Sequence, residues 1–388
     1  MVNDHFRSLQ ATPRSAKQYQ QIWALTCYIN QVENESYRTF DSPPILPPRY
    51  SVNESDYCRQ FQSSAIIEAV TARRTGNSRR GLPVNQPTMT HMEQELTSQP
   101  TMWQHALDMS TSPEVRDCLP DKGTTVAVVG CGTSWFMAQS YASLREDAGV
   151  GVTDAFTATE AKIDRPYDAL IVISRSGTTS EIAELLDLNQ KRSDGPLPTI
   201  AIVGVTDSPV AKKSDSVIDL SFADEKSVVQ TRFATTALML LRASIHGIEP
   251  CAAAIDDATK VLAEDLPGAL VNAEQYSFLG RGWTMGLATE AALKMRESCQ
   301  AWTEDYSAME YRHGPIAIAA EGRITWQLGP APEGLAEQVA ATGASFVDDD
   351  LDPMADLVRV HRVALATSLA RGLNPDQPRN LTRSVILG

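Results

Sequence analysis

The residues that first invite a chemical reading lie in the stretch IVISRSGTTSEIAELL, from Ile171 to Leu186. An apolar run breaks there into Ser174, Ser176, Gly177, Thr178, Thr179 and Ser180 before a helical pattern begins. An ordinary turn needs only about two or three such residues. A dense set of hydroxyls with a glycine at the start of a helix suits an anion. Helix N-termini leave backbone N–H groups unpaired and carry partial positive charge, small residues let the backbone wrap a ligand, and hydroxyls add donors without bulk. A phosphate monoester fits that chemistry. No Gly-Lys-Ser/Thr is present in the loop, so a nucleoside triphosphate with its magnesium is not expected. The same residues also read as an elaborate N-cap, with Thr179 or Ser180 capping the helix. Ser134, on the turn after a neighbouring strand, adds a hydroxyl near the same edge and favours the anion site.

The elements that must position these groups form a repeat. VAVVGCGTSWFMAQSYASL (Val126–Leu144) and YSFLGRGWTMGLATEAALKM (Tyr276–Met295) each read as strand, tight glycine turn and helix, about 150 residues apart. That distance implies two similar α/β domains and not a short-period solenoid. Between them ALIVIS (Ala169–Ser174), TIAIVGV (Thr199–Val205) and SVIDL (Ser216–Leu220) read as strands, and Thr206-Asp207-Ser208-Pro209 supplies helix-start chemistry. Val/Ile runs alternating with helices mean a parallel sheet covered on both faces, with ligands bound beyond the carboxyl ends of the strands. The Gly-x-Gly turns are a weak dinucleotide signal: Trp135 follows GCGTS where a third glycine would stand, and no acidic residue closes a strand at the expected distance. In the second repeat Glu290, Lys294 and Glu297 are spaced four and three apart, so they share one helix face. Taken alone, that spacing reads as an exposed salt-bridge ladder.

The 388 residues suit two domains of ordinary size. A net charge of −14 argues against nucleic acid as a partner. The apolar runs fall short of a membrane span, and the polar start MVNDHFRSLQ lacks a secretory apolar region. Six cysteines without metal-ligand spacing read as reduced thiols in a cytoplasmic protein. Residues 1–88 differ from the rest. They hold ten Lys or Arg against seven Asp or Glu, so they carry about +3 and the remainder about −17. With SPPILPPRY and TARRTGNSRRGLP and little sustained periodicity, they read as a poorly ordered extension. Such a segment is a flexible tail, an upstream extension with Met89 or Met92 as the natural start, or a docking arm.

Five blocks in register carry a family resemblance: GCGTSW (Gly130–Trp135), ISRSGTTSE (Ile173–Glu181), EAALKMRES (Glu290–Ser298), EYRHGP (Glu310–Pro315) and DQPRNLTRSV (Asp376–Val385). From about residue 92 onward the chain resembles the sugar isomerase (SIS) domain family. It is similar in particular to the isomerase half of glutamine–fructose-6-phosphate aminotransferase and to relatives that isomerise or deaminate amino-sugar phosphates. The resemblance implies two SIS domains, each a flavodoxin-like parallel sheet flanked by helices, at 89–245 and 246–388. It implies a phosphosugar site between them, usually at a homodimer interface, and no metal or cofactor. By position, Ser134, Ser174, Arg175, Ser176 and Thr179 would hold the phosphate. Glu297 would move a proton between C1 and C2, and His313, which can come from the partner subunit, would assist ring opening. Glu290 and Lys294 match further polar residues of the same helix. A Glu and a His supply the carboxylate and the acid/base group that an aldose–ketose interconversion needs. Taken alone, His313 is more often a structural hydrogen-bonder, and its Gly-Pro flank favours a fixed, tight loop.

The chain departs from that pattern in two places. Residue 2 is Val2 where the aminotransferase carries a cysteine, and 88 residues cannot hold its amidohydrolase domain, so glutamine-dependent transfer is not expected. Arg383 stands where the tail lysine forms a Schiff base with the ketose, and a guanidinium stays protonated and is a poor nucleophile. The expectation shifts to deaminating isomerisation of an amino-hexose 6-phosphate, with simple aldose–ketose isomerisation, aminotransferase-like isomerase activity and a non-catalytic phosphosugar sensor as alternatives.

Overall fold

The computed structural model describes residues 89–387; the poorly ordered extension expected over 1–88 lies outside the described residues. Among the described residues, nine parallel strands form two sheets. The first contains β1 (Val126–Gly130), β2 (Thr153–Thr157), β3 (Ala169–Ser174), β4 (Thr199–Val203) and β5 (Ser216–Asp219), in the order β2-β1-β3-β4-β5. The second contains β6 (Gln275–Gly280), β7 (Trp302–Ser307), β8 (Arg323–Gln327) and β9 (Ser345–Val347), in the order β7-β6-β8-β9. The first order is that of a flavodoxin-like sheet, and the second repeats it with one strand fewer.

The strand sequences follow from burial on both faces. Val126, Val128, Ile171, Ile173, Ile200 and Ile202 point into one core, while Ala127, Val129, Leu170, Val172, Ala201 and Val203 point into another. Successive side chains face opposite ways, so a strand covered on both sides needs an unbroken apolar run. The first of these cores continues into the second sheet through Tyr276, Phe278, Ile324 and Trp326, so the two sheets share an apolar interior. The shared layer is helical. The helix after β1, Thr133–Asp147, packs on the helix after β6, Thr284–Cys299. Their backbones meet at Gly286, where a Cβ would stand 2.3 Å from the Phe136 carbonyl oxygen and 2.4 Å from Ser140 Oγ. Only glycine allows that approach, and the approach brings the turn of helix carrying Glu290 up to Thr133. The boundary expected at 245/246 falls beside Gly247, which joins the helices Arg232–His246 and Ile248–Ala263.

The helix expected from about Ser180 spans Ser180–Asn189. Ser208 starts the short helix Pro209–Lys212, its hydroxyl accepting from the Ala211 amide at 3.4 Å. No described helix is long and apolar enough to cross a membrane.

Candidate active site at the carboxyl edge of the first sheet

β3 ends at Ser174, and the loop that follows is shaped by its own hydroxyls. Ser174 Oγ accepts from the Gly177 amide at 3.1 Å, and Ser176 Oγ accepts from the Thr178 amide at 3.2 Å. Gly177 has φ +62°, and a Cβ there would stand 2.1 Å from Ser208 Oγ. A left-handed φ and a contact that close both demand glycine. Thr179 occupies the N-cap position with extended backbone, yet its side chain makes no capping bond. The capping alternative therefore does not account for these hydroxyls. They surround a cavity of ≈ 30 Å³ whose wall brings together Ser134, Ser174, Arg175, Ser176, Thr179 and Arg383.

Three neighbours of this cavity escaped sequence reading. Cys131 lines it, its thiol pushed up by burial. Gln230 lines it with an Oε1 that has no hydrogen-bond partner among the described residues. Glu225 stands behind it, accepting from the amides of Thr231, Arg232 and Phe233 at 2.6, 2.9 and 3.3 Å. Only the acidic pair Asp224-Glu225, set just before a long apolar helix, hinted at this segment.

The C-terminal tail lies against the loop. Ser384 Oγ is 3.2 Å from Ser176 Oγ and 3.0 Å from Thr178 Oγ1. The Val385 carbonyl accepts from the Ser180 amide at 3.2 Å, and the Leu387 amide donates to Ser180 Oγ at 2.9 Å. Further back, Asp376 accepts from the amides of His91 and Met92, both at 2.8 Å, at the start of the helix His91–Thr97. The Arg383 guanidinium donates to the Asp224 carboxylate and to the Glu225 carbonyl. Arg175 directs both Nη atoms at backbone carbonyls and keeps only Nε, buried and without a partner among the described residues, for anything else.

The charged trio on Thr284–Cys299 is not the exposed ladder its spacing allowed. Glu290 is 1% exposed and Lys294 0%. Lys294 Nζ bonds Glu297 and stands 3.5 Å from Glu290 Oε1. Burial pushes Glu290 up to about 8; the Lys294 ammonium and the Thr133 hydroxyl pull the other way, while Glu297 adds to the rise. Burial works against the Lys294 charge, but Glu290 and Glu297 outweigh it and raise its pKa. The arrangement is a buried ammonium held between two carboxyl groups, one of which is biased to keep its proton near neutral pH. His361, on the helix Pro353–Ala370, is driven down to about 3 by burial and by Lys294; its Nδ1 lies 3.3 Å from Gln99 Nε2.

None of the trio lines the cavity itself. The link runs through neighbours: Thr133, next to Glu290, precedes cavity-lining Ser134, and the Glu225 charge favours protonation of both Arg175 and Lys294. His313 is exposed in the 3₁₀ turn Glu310–His313, and the fold does not bring it to the cavity within one chain.

Comparison with known proteins bears on the domain family and the fold. A family model described as "SIS domain" matches residues 119–247. The glutamine–fructose-6-phosphate aminotransferase (isomerizing) of Bradyrhizobium diazoefficiens is 28% identical over 365 residues, which is 76% of this chain and 58% of that protein. The chain thus spans little more than half the length of such relatives. Among solved structures, a glucosamine-6-phosphate deaminase from Thermotoga maritima superposes with a TM-score of 0.62 at 24% identity, covering 77% of this chain and 100% of that one. A tagatose-6-phosphate ketose/aldose isomerase from Escherichia coli gives 0.62 at 19% identity, covering 80% and 99%. At these identities the two structures speak for the shared fold.

Proposed function

As a chain that carries a SIS domain and is homologous to the isomerase half of glutamine–fructose-6-phosphate aminotransferase and to related phosphosugar isomerases and deaminases, this protein is, we propose, an enzyme that isomerises and deaminates an amino-hexose 6-phosphate. The observation that carries the reading is the cavity after β3, where four hydroxyls and two guanidinium-bearing residues converge at the carboxyl edge of a parallel sheet. That donor set suits a phosphate monoester on a sugar.

In this reading Ser134, Ser174, Ser176 and Thr179 hold the phosphate, with Arg175 contributing Nε. Glu297, steadied by Lys294, takes the proton from C2 of the open-chain 2-amino-aldose and returns it to C1. The C2–H bond breaks, the enaminol forms, and reprotonation at C1 leaves an imine at C2. Water adds to that imine and expels ammonia, giving the ketose 6-phosphate. Glu290, biased toward its protonated form, and Lys294 keep the carboxylate's proton demand local. No lysine Schiff base enters, which fits an Arg383 tied to Asp224 and Glu225. The same tie favours simple aldose–ketose isomerisation as the second reading, since neither reaction calls on a tail nucleophile.

The second sheet's repeated strand order supports a second SIS domain over 246–388, following a first over 89–245. Exposed His313 would then act on the sugar ring of a partner subunit in a homodimer. The described cysteines, Cys118, Cys131, Cys251 and Cys299, are free thiols, which supports a cytoplasmic setting. The test is to incubate the protein with glucosamine 6-phosphate and follow ammonia and fructose 6-phosphate together. Ammonia from the wild type and none from Glu297→Gln supports the reading. Isomer without ammonia selects the second reading. Equal inertness of both proteins, with binding intact, makes the protein a sensor.

A further inference from the structure

Two arginines cross where the tail meets the site. The Arg175 side chain leaves the loop after β3 and is only 2% exposed. Its Nη1 donates to the carbonyls of Ser227 and Val228 at 3.0 and 3.1 Å, and its Nη2 donates to the carbonyl of Arg383 at 2.7 Å. Arg383 answers from the tail by donating to the Asp224 carboxylate and the Glu225 carbonyl. Three segments far apart in sequence meet at these two guanidinium groups: the loop, the 224–231 stretch and the tail. No β-ladder joins them. Burial works hardest against the Arg175 charge and lowers its pKa; Glu225, with Asp224 and Glu95, pulls the other way, while Arg383, of like charge, adds to the lowering.

We propose that Arg175 is a positioning residue, a clasp that fixes the main chain of the tail onto the loop and the 224–231 stretch, so that the cavity wall containing Gln230 and Arg383 is assembled only while the clasp is made. A planar fork with donors in fixed directions can serve three carbonyls at once; an ammonium on a flexible stem cannot. The family resemblance implies that Arg175 contacts a phosphate. The structure narrows that contact to Nε and adds the larger task of holding the site's walls together. What the cavity holds rests on the phosphosugar reading; the clasp itself does not.

Limited trypsinolysis of the full chain, followed by mass spectrometry, reads the clasp at the Arg383–Ser384 bond. Cleavage at exposed Lys191 serves as a control for general loosening. In Arg175→Gln, cleavage at Arg383 accelerates by about ten- to a hundredfold, the scale of losing charge-assisted bonds, while cleavage at Lys191 is unchanged. No acceleration at Arg383, or equal acceleration at both sites, overturns the proposal. Should Arg175→Gln lack a cooperative melt, Arg175→Lys replaces it. That variant keeps the stem and the charge and still releases the tail; unchanged cleavage in it overturns the clasp. Calorimetry with inorganic phosphate and with glucosamine 6-phosphate on the same proteins separates the two ideas. A wild type that binds neither, with a tail that Arg175→Gln releases, ends the phosphosugar reading and leaves the clasp. Binding by the wild type with an unaltered tail in the variant does the reverse.

Discussion

The two sheets share a strand order and a glycine-turned helix after their equivalent first strands, yet they carry different chemistry. In the first half the helix Thr133–Asp147 offers Ser134 in its opening turn, and the loop after β3 is built of hydroxyls. In the second half the helix Thr284–Cys299 carries its polar groups in its middle and last turns, as Glu290, Lys294 and Glu297. The chain after β8, the counterpart of β3, reads LGPAPEGL and holds no serine or threonine. In the proposed reading, this repeated strand order is divided between gripping an anion in the first half and handling a proton in the second. The close crossing at Gly286 sets the helix carrying Glu290, Lys294 and Glu297 against Phe136 and Ser140 of the helix that carries Ser134.

The largest effect expected from breaking this division is at Glu297. Glu297→Gln should lower turnover of glucosamine 6-phosphate by about a hundredfold or more while leaving its dissociation constant within about threefold. A proportional loss of affinity would mean that the second half grips as well. The converse change is Ser176→Ala with Thr179→Ala, which should weaken phosphosugar binding by roughly 2–4 kcal/mol in calorimetry. Unchanged binding would remove the loop from the site.

How much of this division was legible in the sequence depended on burial and on range. β1, β3 and β4 were readable because both their faces are covered, which forces runs such as ALIVIS. The edge strands β2 (TDAFT) and β7 (WTEDYS) escaped because they are half-exposed and polar, so no apolar run marks them. The hydroxyl loop announced itself through local density. Glu225, Gln230 and the pairing of Arg383 with Asp224 did not, since a contact between residues some 160 apart leaves no local pattern. His361 reads as one more position on an apolar helix, and only the fold sets it near Lys294. The spacing of Glu290, Lys294 and Glu297 marks the shared face but not its burial, which separates a buried ion-pair cluster from an exposed ladder.

Two smaller effects sharpen the contrast. Glu290 titrates near 4.5 when unfolded and about 8 when folded, so the folded chain binds the proton more tightly. Stability is therefore fullest below the unfolded value and falls as pH rises from there toward 8. Asp356, raised to about 7, acts in the same direction, so the measurement is the difference between wild type and Glu290→Gln in chemical denaturation across that window. The wild type should lose stability relative to the variant, and parallel curves would show that Glu290 is ionised throughout. Last, Ser208→Ala removes the cap of Pro209–Lys212 and should cost about 1 kcal/mol of stability with phosphosugar affinity nearly unchanged. A large loss of affinity would make the seat of Gly177 part of the grip.

The most direct test of the divided site is a crystal structure of Glu297→Gln with glucosamine 6-phosphate bound. The account predicts the phosphorus atom among the hydroxyls of Ser134, Ser174, Ser176 and Thr179, with the C1–C2 edge of the sugar within about 3.5 Å of the residue 297 side chain. A phosphate bound elsewhere, or a sugar whose C1 and C2 face away from that side chain in the full assembly, would contradict it.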